Sequence, residues 1–371
     1  MGKNLHRIWI AALLISLFLF PVKARMEPSS DEEEITAFLN RLYDSRAQLL
    51  VGGDPERIKL FYFPGQAVAS YAHRHELERA QYLQSWADKR GVDFVHAKSI
   101  LRIHRIKKSG DTAKISLIQS LKVSYVYLND ILPPQSFGIG TRHALTIKKV
   151  KDEWFVEREW YLDPLEENPK LIPESDISVL TATDERRQRF TGQKYNREKA
   201  IAYANKYAGT AWGAGNNNRY NKKYRDYTGL GGDCTNFASQ VLGDPEEGGG
   251  LRMRESWRYF FPVGGSQTWV QTDAFKNFLI RSGYGRVIAS GTFQDVVRPT
   301  ERYPHGAVSE LVPGDLIAYV MNGDVDHFAI LVGFDDKGYP LVNCHTADRY
   351  RVPFDLGWDK NTRYLLIHMN D

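Results

Sequence analysis

The stretch Gly231-Gly-Asp-Cys-Thr-Asn-Phe-Ala-Ser-Gln-Val-Leu242 reads as a loop turning into a helix. Asp233 suits the N-cap, Phe237, Ala238, Val241 and Leu242 form one apolar stripe, and Gly243 stops the helix. Cys234 therefore falls in the first helical turn, where unpaired N–H groups and the positive end of the helix dipole favour a thiolate. The same N–H groups can receive an oxyanion during acyl transfer. A cysteine that only filled the core would sit further in, among the apolar positions.

Such a sulfur needs a base, brought to it from elsewhere in the chain. Asp326-His-Phe-Ala-Ile-Leu-Val-Gly333 reads as a strand with His327 near its start. The turn Asp335-Asp-Lys-Gly338 leads into a further strand, Tyr339-Pro-Leu-Val-Asn-Cys-His345. Two adjacent antiparallel strands bring His327 near the face that carries Asn343 and His345, which are two apart and so on one side. A nucleophile, an imidazole and a polar group to orient it make the pattern of covalent amide hydrolysis. The third position stays open: His345 could fix the tautomer of His327 through a ring nitrogen, Asn343 through its side-chain carbonyl. Cys344 lies between them and points the other way, into the core. A Cys234–Cys344 disulfide would block the nucleophile, but the opposed side chains make it awkward. Asp326 reads as a solvated turn carboxylate and Asp315 of Pro-Gly-Asp-Leu as a turn holder.

Between nucleophile and base lies an aromatic insert with Trp257, Tyr259, Phe260 and Trp269. Asp233, Trp257 and Trp269 are the candidate substrate-contacting residues. An N-cap role equally explains Asp233, and the tryptophans equally suit a core.

The elements that must position these groups divide the chain in two. Ile35, Phe38, Leu39, Leu42 and Tyr43 recur at helical spacing after a loose acidic stretch, Asp31 to Glu34, and 67–89 reads as a second helix. From Val92 the texture changes to strands: Ala113 to Val126 alternates, followed by segments from His143 and from Trp154. Helices followed by an antiparallel meander predict an α+β domain over 31–163, with the element order of a cystatin or SnoaL-like cone. Its histidines at 73, 75, 96, 104 and 143 read as surface or strand-face residues. Residues 164–194, with Pro164, Pro169 and Pro173, read as a linker. The second domain, 195–371, opens with a helix capped by Asn196 and faced by Ala200, Ile201, Ala204 and Ala208.

Residues 1–24 read as an export signal rather than as part of the fold. Lys3, His6 and Arg7 precede an apolar run from Ile8 to Phe20, Pro21 breaks it, and Val22-Lys-Ala24 offers a cleavage site. Cleaved or kept as an anchor, this segment places the rest outside the cytoplasmic membrane, secreted or at the cell surface. The run is short of the roughly 20 residues a membrane span takes.

Composition bounds the rest. Of 371 residues, 42% are hydrophobic and 25% charged, which suits globular cores and excludes a disordered or polytopic membrane chain. Lys+Arg 49 against Asp+Glu 45 gives a net charge of only +4 with no basic run, so nucleic acid is not an expected partner. Two cysteines are too few for a disulfide framework or a cysteine-rich zinc site. No His-Glu-x-x-His pair is present, so metal-assisted hydrolysis through His327, His345 and Asp326 is disfavoured, and no cofactor is required.

Asn-Arg before an Ala/Tyr-rich helix, Gly-Gly-Asp-Cys-Thr-Asn-Phe-Ala-Ser-Gln, Trp257, Ser266…Trp269, Pro-Gly-Asp-Leu, Asp-His-Phe-Ala-Ile-Leu-Val and Pro-Leu-Val-Asn-Cys-His-Thr together carry a resemblance. Residues 195–371 resemble the bacterial "putative amidase domain" family and are more distantly similar to NlpC-type and CHAP-type cell-wall cysteine hydrolases. The resemblance implies a papain-like α+β fold with Cys234 as nucleophile, His327 as general base and acid, and His345 as third residue. Thr235-Asn236 stands where those peptidases show Ser-Gly. The expected function is an exported cysteine hydrolase acting on an amide, with a peptide or peptidoglycan-like substrate. The alternative is a catalytically silent papain-like domain that only binds.

Overall fold

The computed structural model describes residues 30–165, 168–174, 192, 194–254 and 256–371. The expected export segment and residues 175–191 of the expected linker lie outside them.

Helix α1 (Ser30–Leu50) buries Ile35, Phe38, Leu39, Leu42 and Tyr43 on one face, the stripe read from their spacing. It starts earlier than expected. Asp31, Glu32 and Glu33 form its first turn, where carboxylates meet the positive end of the helix dipole. A short helix, α2 (Pro55–Lys59), precedes α3 (Ala67–Arg90), which ends on Gly91 in the left-handed conformation. Strands β1 (Val92–Ser109), β2 (Thr112–Tyr127), β3 (Gln135–Val150) and β4 (Glu153–Tyr161) follow as an antiparallel meander. This half is the expected helix-then-sheet α+β unit.

The second half starts with α4 (Arg197–Lys206), whose N-cap Asn196 accepts from the Lys199 N–H at 2.9 Å. Helix α5 (Cys234–Gly243) comes next, followed by the two-residue strands β5 (Tyr259–Phe260) and β6 (Gly264–Gly265) and helices α6 (Gln267–Val270) and α7 (Thr272–Arg281). Then come β7 (Gly285–Thr292), α8 (Phe293–Val297), β8 (Leu316–Met321), β9 (Asp324–Phe334), β10 (Pro340–Cys344), β11 (Asp348–Pro353) and β12 (Arg363–Met369). Among the described residues no helix is long and apolar enough to cross a membrane.

The two halves share one antiparallel sheet, ordered β1-β2-β3-β11-β10-β9-β8-β12-β7, with β4 also on β3. The seam is short: Asp348, Arg349 and Tyr350 of β11 pair with Gly140, Ile139 and Gly138 of β3. Gly138 is required there, because a Cβ would lie 1.9 Å from the Trp212 carbonyl oxygen. One core runs across the seam, joining Trp86, Phe94 and Tyr125 to Tyr339, Val342 and Phe354. A second lies between α4, α5 and α7 and the other face of β8 and β9.

Buried polar contacts lock the halves together. Arg90 at the end of α3 donates from Nε (3.0 Å) and Nη2 (2.7 Å) to Asp355, which also accepts from Trp86 and Tyr339. The Tyr125 and Tyr127 hydroxyls both donate to Asp335, at 2.7 and 2.6 Å. The described part of the expected linker is packed rather than free. Lys89 reaches the Ile172 carbonyl, Arg90 the Pro173 carbonyl, and the Lys360 N–H the Leu171 carbonyl.

The N-terminal half also holds a polar network that periodicity did not reveal. His143, read as a surface or strand-face residue, is 3% exposed. Its Nδ1 lies 2.8 Å from Glu159, which also meets Arg46 and the Tyr43 hydroxyl. Strand alternation turns His143 inward, and a buried carboxylate receives it.

Candidate active site

Cys234 opens α5, as the loop-to-helix pattern predicts. The approach is a single turn at Thr228–Leu230 followed by Gly231 and Gly232, both at positive φ (108° and 127°). Asp233 occupies the N-cap position but does not cap: its side chain makes no bond to the helix's N–H groups. Instead Oδ1 accepts from the Tyr227 N–H (2.8 Å) and the Asn236 side chain (2.9 Å), and Oδ2 meets His345 Nδ1 at 2.6 Å. Asp233 thus fastens the loop that carries the cysteine, and touches no open surface as a substrate contact would, being 1% exposed.

The Cys234 sulfur lies 3.8 Å from the Thr235 hydroxyl. Burial pushes its thiol up, while the N–H of Phe328, the Thr235 hydroxyl and the Thr235 N–H pull it back down. Desolvation outweighs the donors, so the expected resting thiolate is not favoured. Cys234 and Cys344 are both free and buried. Cys344 faces the core as alternation predicts, with its sulfur near the Ala347 carbonyl.

His327 is on β9 opposite Tyr319 of β8. Its ring sits 5.9 Å from Tyr319 and 5.7 Å from Trp358, centroid to centroid. Nε2 is buried without a hydrogen-bond partner. Burial first, then the Arg349 guanidinium and His345, push the imidazole down to about 3. It is a neutral base at ordinary pH. Cys234 and His327 line the same open cleft of about 320 Å³, whose walls include Asp326, Thr346, Arg349 and Trp358. Leu162, Asp163 and Pro164 of the N-terminal half also line it.

The third position does not form as expected. Asn343 pairs with Ile330 across β10 and β9, so it shares the face of Ile330, while His327 falls on the alternate face with Ala329 and Leu331. Its amide donates to the Ala204 carbonyl and the Asn205 side chain, both at 3.0 Å, and its oxygen accepts from the Arg351 N–H. His345 is equally occupied. Nδ1 meets Asp233, Nε2 meets the Tyr207 carbonyl at 2.7 Å, and the ring is stacked between Tyr220 (3.8 Å) and Phe237 (3.9 Å). Neither nitrogen is left to orient His327. The ring of His327 is held by aromatic packing instead.

Trp257 and Trp269 are core, not groove. Both are fully buried and stacked at 5.0 Å, with indole N–H groups on Ser239 and Asn236. Asp326 is exposed at the cleft rim. Asp315 holds its turn, accepting from the Val312 N–H and pairing with Arg197. Among the described residues no three His, Cys, Asp or Glu side chains converge as a metal would require. Three cleft components had no usable sequence signal: Arg349, Trp358 and the Leu162–Pro164 rim. Each becomes part of the site only through tertiary pairing.

Solved structures that resemble parts of this chain do so distantly. The intermembrane-space region of the chloroplast protein ARC6 is 11% identical, covering 36% of this chain and 98% of its own, with a TM-score of 0.25. An NTF2-like protein of Shewanella oneidensis is 14% identical over 35% and 99%, with a TM-score of 0.22. A cystatin-like protein of Nostoc punctiforme is 16% identical over 37% and 93%, with a TM-score of 0.21. In Bacillus subtilis the uncharacterized protein YhbB is 30% identical over 213 residues, 53% of this chain. That match spans 57% of the length of YhbB. Residues 194–367 match the family described as "Putative amidase domain", a description that points to hydrolase activity in this half of the chain.

Proposed function

We propose that this protein is an exported cysteine hydrolase that cleaves an amide bond, with cell-wall peptides as the substrate class. The observation that carries the reading is the shared cleft: a cysteine at a helix start and an imidazole from the sheet line one opening. In the resting state both are neutral. As the Cys234 sulfur attacks the amide carbon, its proton passes to the imidazole of His327, which lines the same cleft. The start of α5 has no side-chain cap, so its N–H groups and dipole stand ready for the oxyanion. Protonated His327 then hands its proton to the leaving amine, giving a thioester. Water attacks that thioester with its proton going to His327, releasing the acid and restoring the thiol. The net reaction adds one water across one C–N bond.

Digestion of purified cell walls and of model peptides by wild type and Cys234→Ala tests this. The variant is expected to fold and to release no new amines. Equal turnover by both would remove Cys234 from the chemistry. A binding-only role gains support from the raised thiol and from the lack of a polar partner for His327. Alkylation by iodoacetamide in wild type and His327→Ala separates the two: a working site reacts more slowly once the imidazole is lost, a silent one at an unchanged rate.

A further inference from the structure

We propose that Arg349 is an anion anchor in the Cys234–His327 cleft, so that the favoured substrate carries a carboxylate close to its scissile amide. The inference rests on the hydrolase reading and names its substrate class.

Arg349 begins its role at the seam, where β11 pairs with β3. The side chain is 5% exposed and lines the cleft. Its guanidinium lies 5.3 Å from the Trp358 ring, the same ring that flanks His327. Nη1 donates to the Leu356 carbonyl and Nη2 to the Pro164 carbonyl at 3.2 Å. Both acceptors are neutral. Among the described residues no carboxylate lies within ion-pair distance of Arg349, in contrast to buried Arg46, Arg79, Arg90 and Arg197, each of which has at least one.

A buried cation without a counter-charge is costly unless a ligand supplies one. The carboxylates nearest the cleft are spoken for. Asp163 is held at 3.2 Å by both Arg79 and His75, and Asp326 sits exposed at the rim. Two of five guanidinium N–H donors are used by the carbonyls, leaving donors for a planar carboxylate, which the fork fits better than a point charge would.

The position has a second consequence. The Arg349 charge disfavours a proton on His327. A substrate carboxylate seated on Arg349 offsets that charge at the moment when His327 must accept the thiol proton. A neutral substrate leaves the base as reluctant as it is at rest. Charge recognition and base strength are therefore coupled.

Iodoacetate and iodoacetamide probe this without a known substrate. In each case the Cys234 sulfur forms a bond to the methylene carbon, iodide leaves, and the thiol proton goes to His327 or solvent; only iodoacetate carries the carboxylate. Rates at Cys234 in the full-length chain are read by peptide mapping, which separates it from Cys344. The iodoacetate/iodoacetamide ratio, divided by that of glutathione, is expected to be about tenfold or more, the worth of one charge-assisted bond. Arg349→Gln is expected to bring it within about twofold of glutathione, with Arg349→Lys in between. A wild-type ratio equal to that of glutathione, or a preference that survives in Arg349→Gln, overturns the anchor while leaving Cys234 a competent nucleophile. If Arg349→Gln does not fold, the wild-type ratio decides alone. No reaction of Cys234 with either reagent overturns the hydrolase reading and the anchor together.

Discussion

Replacing His345 by alanine separates a positioning role from a catalytic one. In wild type the ring is 1% exposed, between Asp233 Oδ2 and the Tyr207 carbonyl and between two aromatic faces. Both polar partners present oxygens to the ring nitrogens. His345→Ala leaves a buried carboxylate with only its Tyr227 and Asn236 bonds, and leaves the Tyr207 carbonyl without this donor. Losing two buried hydrogen bonds of this kind, one of them to a carboxylate, costs about 3–5 kcal/mol. For a unit of 150–250 residues this corresponds to a melting temperature lower by roughly 6–20 °C.

Asp233→Asn provides the control. Its amide can donate to Nδ1 while Nε2–H still serves Tyr207, so one hydrogen bond is inverted rather than lost, and the cost falls to about 1 kcal/mol. Melting by circular dichroism at neutral pH ranks the two variants. Iodoacetamide alkylation of Cys234 across pH, at temperatures where each variant is folded, reads the site. Loss of stability with an unshifted pH profile is expected. If His345→Ala melts like wild type but moves the pH dependence of alkylation, then His345 acts on His327 and the argument from its two occupied nitrogens fails.

Three further outcomes follow from burial and charge. Arg90→Ala strands Asp355 between the halves and should lower the urea-unfolding free energy by about 3–5 kcal/mol, while Arg74→Ala, which removes only an exposed pair, should change it by less than about 0.5 kcal/mol. His327 gives the protein acid sensitivity. The unfolded imidazole binds a proton near 6.5 but the folded one only near 3, so stability is complete above 6.5 and declines as pH falls toward 3. The full effect is about 4–5 kcal/mol, and His327→Phe should resist acid better than wild type in melts at pH 4 against pH 7; equal acid sensitivity would contradict the buried-base assignment. Trp257→Ala should cost about 3–5 kcal/mol as a core deletion, whereas Trp257→Phe should leave KM for any amide substrate unchanged; a large KM effect would return this residue to the substrate groove.

Local signals carried what could be read from the sequence. Gly-Gly-Asp-Cys before an apolar stripe placed the cysteine, and an apolar run placed His327 on a strand. The same alternation that correctly put Asn343 and His345 on one side could not say which side His327 takes. That depends on register, and Asn343 opposite Ile330 settles it against His327. The tryptophans had the wrong reading available because aromatic residues serve cores and grooves alike. Arg349 was illegible for a different reason: one arginine in a turn-and-strand sequence gains meaning only from what its neighbours lack. A helix start favours a thiolate, but burial, which no window of sequence reports, raises the Cys234 thiol despite the donors around it.

The seam changes how the N-terminal half is understood. The Tyr82 hydroxyl of α3 accepts from the Gly357 N–H at 2.8 Å and donates to the Trp358 carbonyl at 3.1 Å. Trp358 in turn stacks on Tyr319 at 4.1 Å and flanks both His327 and Arg349. Pro164, where the chain leaves the first sheet strands, supplies one of the two carbonyls that hold the guanidinium. The first half thus fixes the backbone of one cleft residue, orients a second and contributes Leu162, Asp163 and Pro164 to the cleft wall. A cleft built in this way depends on the pairing of β3 with β11 for its shape. The walls of this cleft therefore belong to both halves, even though Cys234 and His327 come from the second.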